Sequence, residues 1–310
     1  MNKRKIILFL LIISFFLSAC NSSGESETKS ASVAKETQEI KDYKPGVLEP
    51  VATGKEVIGQ SPVTIDISNK TQGYMIASYS GSANNALVQV TGVDAVDYRY
   101  YIKSKEQAVI PFICGSGSYT VAVYENVQDT EYGFLWTETL EISLDDEVLP
   151  FLYPNQYVNF NKKSKAVKKA SQLDVDKKDT LETIQTIYNY VIKNITYDYD
   201  KAENVQSGYL PVVDETLKTK TGICFDYAAL MTAMLRSRGI PSKLVIGYTG
   251  DIYHAWISVY TKEKGWIDKV IQFDGNKWRM MDPTFASSAD DEDTLNYISD
   301  ETNYTEKYVH

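Results

Sequence analysis

Apolar and polar positions alternate with a period of two through the first half of the chain and change to helical spacing in the second. Between Val47 and Pro154 the runs T-I-D-I-S, Y-M-I-A-S-Y, A-L-V-Q-V, Y-R-Y-Y-I, A-V-I-P-F-I, Y-T-V-A-V-Y and T-E-T-L-E-I are punctuated by Gly, Ser, Asn and Asp. That rhythm predicts a sandwich-like domain of short strands, and about 100 residues is an ordinary size for one. The tyrosines fall on alternating strand positions, which makes them half-buried packing residues. An aromatic surface that holds a ligand is the alternative.

In the second half, Asp179 followed by Glu182 forms a capping box, and Leu181, Ile184, Tyr188 and Val191 give the helix behind it one apolar face. A second helix runs through Ala228, Ala229, Leu230, Met231, Ala233, Met234 and Leu235, with Gly239 as its left-handed cap and Pro241 barring continuation. K-L-V-I-G-Y and H-A-W-I-S-V-Y then read as strands, and Asp274-Gly275-Asn276 as the turn of a hairpin. An antiparallel sheet on that helix would carry His254 and Asp282 on neighbouring strands. The fold class is α+β: an all-β sandwich-like domain over 47–154, then an α+β domain over 155–310.

The chain begins with Lys3, Arg4 and Lys5, an apolar run from Ile6 to Leu17, and then L-S-A-C. The run suits a signal peptide rather than a membrane span. Its ending resembles a bacterial lipobox, with Cys20 lipidated to become the first mature residue. Residues 1–20 are thus expected to be a lipoprotein signal, and 21–46, rich in Ser, Glu, Lys and Thr, a flexible tether. The expected location is extracytoplasmic, anchored to the bacterial cell membrane by the lipid. Formal charge is −9, which argues against a nucleic-acid partner. The lysines at 162, 163, 165, 168 and 169 read as a solvated helix face, with anionic cell-wall polymer or lipid headgroups as the alternative. The acidic stretch beyond Phe285 reads as a solvated, partly ordered end.

Candidate chemistry concentrates between Gly222 and Pro283. Of two histidines, only His254 lies inside the folded body, since His310 is the last residue given, so His254 is the one imidazole placed to act as a general base near neutrality. Cys224 opens the apolar helix, where free N–H groups and the positive dipole end favour a thiolate. A carboxylate would fix the imidazole, and Asp282, Asp268 and Asp274 compete for that role. Asp226 reads as a structural partner of the helix start. Tyr197, Tyr199 and Trp256 are candidates to line the cleft. Cys114, in an apolar strand run, reads as a buried residue unpaired with Cys224.

G-I-C-F-D-Y-A with L-R-S-R-G-I-P, then H-A-W, then D-P-T, resembles the transglutaminase-like superfamily, whose core is papain-like. The likeness covers roughly Thr180 to Phe285. It implies Cys224 as nucleophile, His254 as base and Asp282, preferred over Asp268 and Asp274 by its following Pro-Thr, as the residue orienting the ring. Two departures stand out. No run of acidic ligands implies calcium control. No tryptophan lies between Trp136 and Cys224 to serve as a second oxyanion donor.

The resemblance implies a thiol enzyme acting on a carboxamide or peptide bond through a Cys thioester, by acyl transfer or hydrolysis. Its substrate would be a protein or peptide, with cell-wall components a further partner, and neither cofactor nor metal is implied. A cysteine peptidase or amidase with the same three residues is one alternative. A non-catalytic surface module that keeps the fold is another.

Overall fold

Each strand foreseen in the first half forms. The computed structural model describes residues 43–173, 179–268, 271–273, 278–280 and 303–310, with 271–273 and 278–280 described by their backbone alone. Eight strands lead: β1 (Val57–Gln60), β2 (Val63–Asp66), β3 (Tyr74–Tyr79), β4 (Asn85–Thr91), β5 (Asp97–Lys103), β6 (Gln107–Pro111), β7 (Gly117–Gln128) and β8 (Glu131–Ile142). They build two antiparallel sheets, ordered β1-β2-β3-β6 and β5-β4-β7-β8. Burial follows the sequence pattern. Along β5, Tyr98, Tyr100 and Ile102 are buried while Asp97, Arg99, Tyr101 and Lys103 are exposed. The inward sets of both sheets meet in one apolar cluster with Ile65, Val88, Ile110 and Val121.

The second half packs helices on a third sheet. Its elements are α1 (Lys165–Leu173), α2 (Thr180–Asn194), β9 (Thr196–Tyr197), α3 (Tyr199–Asn204), α4 (Val213–Thr219), β10 (Thr221–Gly222), α5 (Cys224–Arg236), β11 (Ser242–Thr249), β12 (Ile252–Thr261), β13 (Gly265–Ile267), β14 (Ile271–Phe273), β15 (Trp278–Met280) and β16 (Tyr304–Val309). Asp179 caps α2 as the sequence predicts, its Oδ1 accepting from the Glu182 N–H at 2.7 Å. The α2 face is shifted from the expected set: Ile187 is buried and Leu181 only half-buried. Lys163, Lys165 and Lys168 are solvated, in line with the simple reading of the lysine run.

The main sheet, ordered β13-β12-β11-β16, is antiparallel throughout. Two expectations change here. The chain end is not a solvated tail over its last residues: β16 pairs with β11, and Tyr304 and His310 are buried. The His310 ring stacks on Tyr157 at 3.6 Å and meets Tyr98 and Tyr100 edge-on, so it fills a space between the strand-rich half and the third sheet. Second, among the described residues β15 pairs with β14, as a two-stranded ladder. The foreseen hairpin is present in its strands, and among the described residues no ladder joins β15 to β12. Its turn, Asp274 included, and Asp282 lie outside the described residues.

Candidate active site

Helix α5 runs through the centre of the second half, and every residue from Asp226 to Arg236 is buried. Fully burying Leu230, Met231, Met234 and Leu235 contributes roughly 1.5–3 kcal/mol each, which fixes the helix against the sheet. Cys224 is its first residue and is half-buried, so the thiol stands where the apolar core meets the surface. The approach is equally constrained. β10 pairs in parallel with β9, Gly222 opposite Tyr197, and the Asp198 N–H donates to the Gly222 carbonyl at 3.0 Å. A Cβ at Gly222 would stand 2.6 Å from Cβ of Asp226, so this close passage requires glycine.

Ile223 occupies the N-cap position yet has no side-chain acceptor. Asp226 supplies the missing half from the third helical position, its Oδ2 accepting from the Ile223 N–H at 2.9 Å. Two further groups complete the carboxylate's shell. Lys201 Nζ donates to Oδ2 at 2.6 Å, and the Tyr209 hydroxyl donates to Oδ1. Lys201 Nζ also donates to the Tyr209 hydroxyl at 2.7 Å, closing a triangle over a fully buried Asp226. Burial alone would lower the pKa of Lys201, but its bonds to Asp226 and Tyr209 outweigh that and raise it. The Tyr209 phenol is pushed up to about 12 by burial and by Asp226. Asp226 is therefore the structural partner of the helix start that the sequence suggested, with two companions it did not reveal.

The other end of α5 is held by Arg236, which is fully buried. Its Nε and Nη2 donate to the Ser242 carbonyl at 2.9 and 2.8 Å, Nη1 to Tyr153 O at 2.7 Å, and Nη2 also to His310 O at 2.8 Å. Burial pushes its pKa down to about 9, which still leaves it charged at neutrality. Gly239, at φ 76°, provides the left-handed turn after the helix, and the Ile240 N–H closes on Leu235 O.

His254 is buried on β12, opposite Gly247 of β11. Alternation along β12 sends Ala255, Ile257 and Val259 into the cluster around α5 and Trp256 into a small cluster with Val245 and Tyr304. His254 shares the Trp256 side, with its ring 6.3 Å from the indole. Trp256 is 1% exposed, which makes it a buried neighbour of the imidazole and not an open cleft wall. Among the described residues, no hydrogen bond joins Cys224 to His254. Tyr253, the residue before His254, has its phenol raised by burial first, and then by Tyr308, Tyr248 and Cys224. Tyr197 is half-buried beside the segment leading to Cys224, and Tyr199, 65% exposed, meets it edge-on at 4.9 Å. Asp268 follows β13, which pairs with Val259 to Thr261 at the far end of β12 from His254. Asp282 and Cys20 lie outside the described residues.

The transglutaminase-like superfamily model matches residues 167–269, a stretch that holds α5 with Cys224 and β12 with His254. The chain carries a transglutaminase-like domain. Within it, 68 residues are 43% identical to a UPF0252 protein of Methanocaldococcus jannaschii, covering 20% of this chain and 19% of that one. Protein YebA of Bacillus subtilis is 30% identical over 118 residues, 32% of this chain and 16% of its own length. A protein-glutamine gamma-glutamyltransferase of Pseudomonas aeruginosa is 33% identical over 70 residues, 18% of this chain and 10% of its own. The chain thus spans less than a fifth of the length of each of these relatives. Among solved structures, a candidate cysteine protease from Cytophaga hutchinsonii aligns over 82% of this chain and 73% of its own at 14% identity and TM-score 0.39. Red sea bream transglutaminase aligns over 73% and 53% at 14% identity and TM-score 0.30. Neither structural likeness bears on chemistry.

The two cysteines stand in distinct environments, Cys114 in the strand-rich half and Cys224 in the stretch that matches the superfamily. Cys114 and Cys224 are both free. Cys114 is half-buried, and burial with Asp94 close by pushes its thiol up to about 12, which suppresses the nucleophilic form. Sequence patterns gave no sign of Lys201 and Tyr209, which reach Asp226 from 25 and 17 residues away. Tyr253 could have been noticed as the residue just before His254. Among the described residues, no group of three His, Cys, Asp or Glu side chains is arranged to hold a metal.

Proposed function

We propose that the chain is a lipid-anchored, extracytoplasmic thiol enzyme of transglutaminase-like type. The observation that carries this is a half-buried thiol at the first position of a fully packed helix, within the stretch matching the superfamily. Amides in the first turn of a helix have no intrahelical acceptor. The Cys224 N–H is therefore available to an oxyanion, and the dipole favours the thiolate.

In the proposed reaction Sγ of Cys224 attacks the carbonyl carbon of a carboxamide or peptide bond in a protein or peptide. The thiol proton passes to His254 and then to the leaving nitrogen, so ammonia or an amine departs and a thioester remains. An amine acceptor, or water, attacks the thioester and returns the thiol. Asp282 would orient the imidazole. The ring must meet Sγ at the end of β12 in the substrate complex, as catalytic hydrogen bonds often tighten only there. One rival is a module that keeps the fold and binds without turnover.

One labelling experiment separates the two. A thiol-directed acyl probe, followed by peptide mapping, should modify Cys224 and leave Cys114 untouched. His254→Ala should abolish turnover of a glutamine-containing peptide. Turnover that survives His254→Ala, or a Cys224 that no acyl donor modifies, would hand the role to the binding module. Anchoring is read separately: Cys20→Ser should release the protein from membranes, and undiminished membrane retention would remove the lipid.

A further inference from the structure

We infer that Lys201 is a positioning residue for the Cys224 nucleophile, neutralising the Asp226 carboxylate that would otherwise oppose a thiolate two residues away on the same helical turn. The inference rests on the reading of Cys224 as a nucleophile, but its test does not need turnover.

The conflict is written into α5. Its first turn needs an acceptor for the Ile223 N–H, and only Asp226 supplies one, at 2.9 Å. That choice holds a fully buried carboxylate 2.9 Å from the N–H of Ile223, the residue that directly precedes Cys224. A carboxylate held on the first turn disfavours a second negative charge forming at that same helix end. Lys201, brought in on α3, meets Oδ2 at 2.6 Å, and Tyr209 covers Oδ1 with a neutral donor. Lys201 is held in turn by the Tyr209 hydroxyl at 2.7 Å and lies 4.4 Å from the centre of its ring. The ammonium is thus held from two sides.

Other titratable groups around the helix start do not substitute for it. The Asp198 carboxylate caps α3 through the Lys201 N–H at 2.9 Å and adds a second negative charge nearby. Tyr253 on β12 is neutral, its phenol raised by burial first. Tyr157, stacked on His310, is likewise neutral, and His254 is on the Trp256 side of the sheet. The Lys201 ammonium is the cation bonded to Asp226 among the described residues. A purely structural clamp would need only the hydrogen bonds. The charge is what a nucleophile needs.

The experiment follows the rate of Cys224 alkylation by iodoacetamide against pH in the full chain, with peptide mapping to separate it from other cysteines. Lys201→Met should move the midpoint up by about one pH unit, making alkylation about tenfold slower on the acid side. Asp226→Asn, which removes the anion and leaves the ammonium, should move it down. Tyr209→Phe should lower the melting temperature and leave the midpoint in place. A Lys201→Met profile that superimposes on the wild type, or an Asp226→Asn profile shifted upward, would overturn the inference. If the wild-type chain shows no turnover yet these shifts occur, the charge balance stands and only the enzymatic reading fails.

Discussion

His310 offers the most direct quantitative test of how the two halves of the chain are joined. Its ring is 2% exposed, stacked on Tyr157 at 3.6 Å, and close to the Arg236 guanidinium. Burial first, and Arg236 second, push its pKa down from 6.5 to about 3. The folded protein therefore keeps this imidazole neutral well below the pH at which the unfolded chain protonates it. The unfolded state binds more protons through that window, so stability is fully present above about 6.5 and is lost as the pH falls toward about 3. At pH 5 the unfolded imidazole is about 1.5 units below its own pKa, which corresponds to about 2 kcal/mol of lost stability from this residue alone. In a chain of this size that is on the order of 3 °C in melting temperature.

The perturbation is His310→Phe, which keeps an aromatic ring on Tyr157 and cannot titrate. Phenylalanine will change the baseline stability, so the quantity to compare is the change between pH 7.5 and pH 5 in urea denaturation of each protein. All other titrating groups, His254 included, are shared and cancel in that comparison. The variant should lose about 2 kcal/mol less than the wild type over the interval. If both proteins lose the same amount, the imidazole is solvated or already charged in the fold, and the packing of His310 between the two halves is wrong.

Two substitutions probe the sheet and the central helix. Gly247→Ala would place Cβ 2.0 Å from Thr305 O and 2.8 Å from the Trp256 ring, so β16 must shift, at a cost of about 1–3 kcal/mol in urea unfolding; a neutral effect would show that β16 is not held there. Arg236→Met removes the donors to Tyr153 O, Ser242 O and His310 O, though the Leu244 N–H still serves His310 O. At about 1–3 kcal/mol for each of the two buried acceptors left without a donor, a loss of roughly 2–6 kcal/mol is expected, and an unchanged melting temperature would mean that the carbonyls find other partners.

What the sequence disclosed and what it hid divide along a physical line. The α2 start was readable because Asp179 and Glu182 are three residues apart and a cap is a local bond. The end of α5 was readable for the same reason, through Gly239 and Pro241. β strands of the first half announced themselves by alternation. β16 did not, since its exposed Thr305, Glu306 and Lys307 make it an edge strand whose only apolar signal is completed by β11. Arg236 was equally hidden: a charged residue in an apolar helix reads as an exposed exception until Tyr153 and His310, 83 and 74 residues away, arrive with their carbonyls. At the candidate site the residue types were legible from their motifs. Their mutual geometry was not, because the side of β12 on which His254 falls depends on register with β11 and not on its neighbours in sequence.

The two buried charges at the ends of α5 answer a common problem. A helix lined all round with Ala, Leu and Met has nothing in its apolar surface to fix its position along its own axis, since neighbouring turns present nearly equivalent faces. Asp226 and Arg236 break that equivalence. A slide of one turn, about 5.4 Å, would strip Asp226 of Lys201, Tyr209 and the Ile223 N–H, and Arg236 of its three carbonyls at once. Each buried charge costs desolvation, and replacing such groups with apolar ones is often neutral or stabilising where both partners go together. Here the partners of Arg236 are backbone carbonyls that no substitution can remove, so the charge is committed to the register. The first residue of α5 is Cys224, and a nucleophile misplaced by about 1 Å can cost a hundredfold in rate. Holding the axial position of α5 with charge places rigidity where the proposed chemistry tolerates least error.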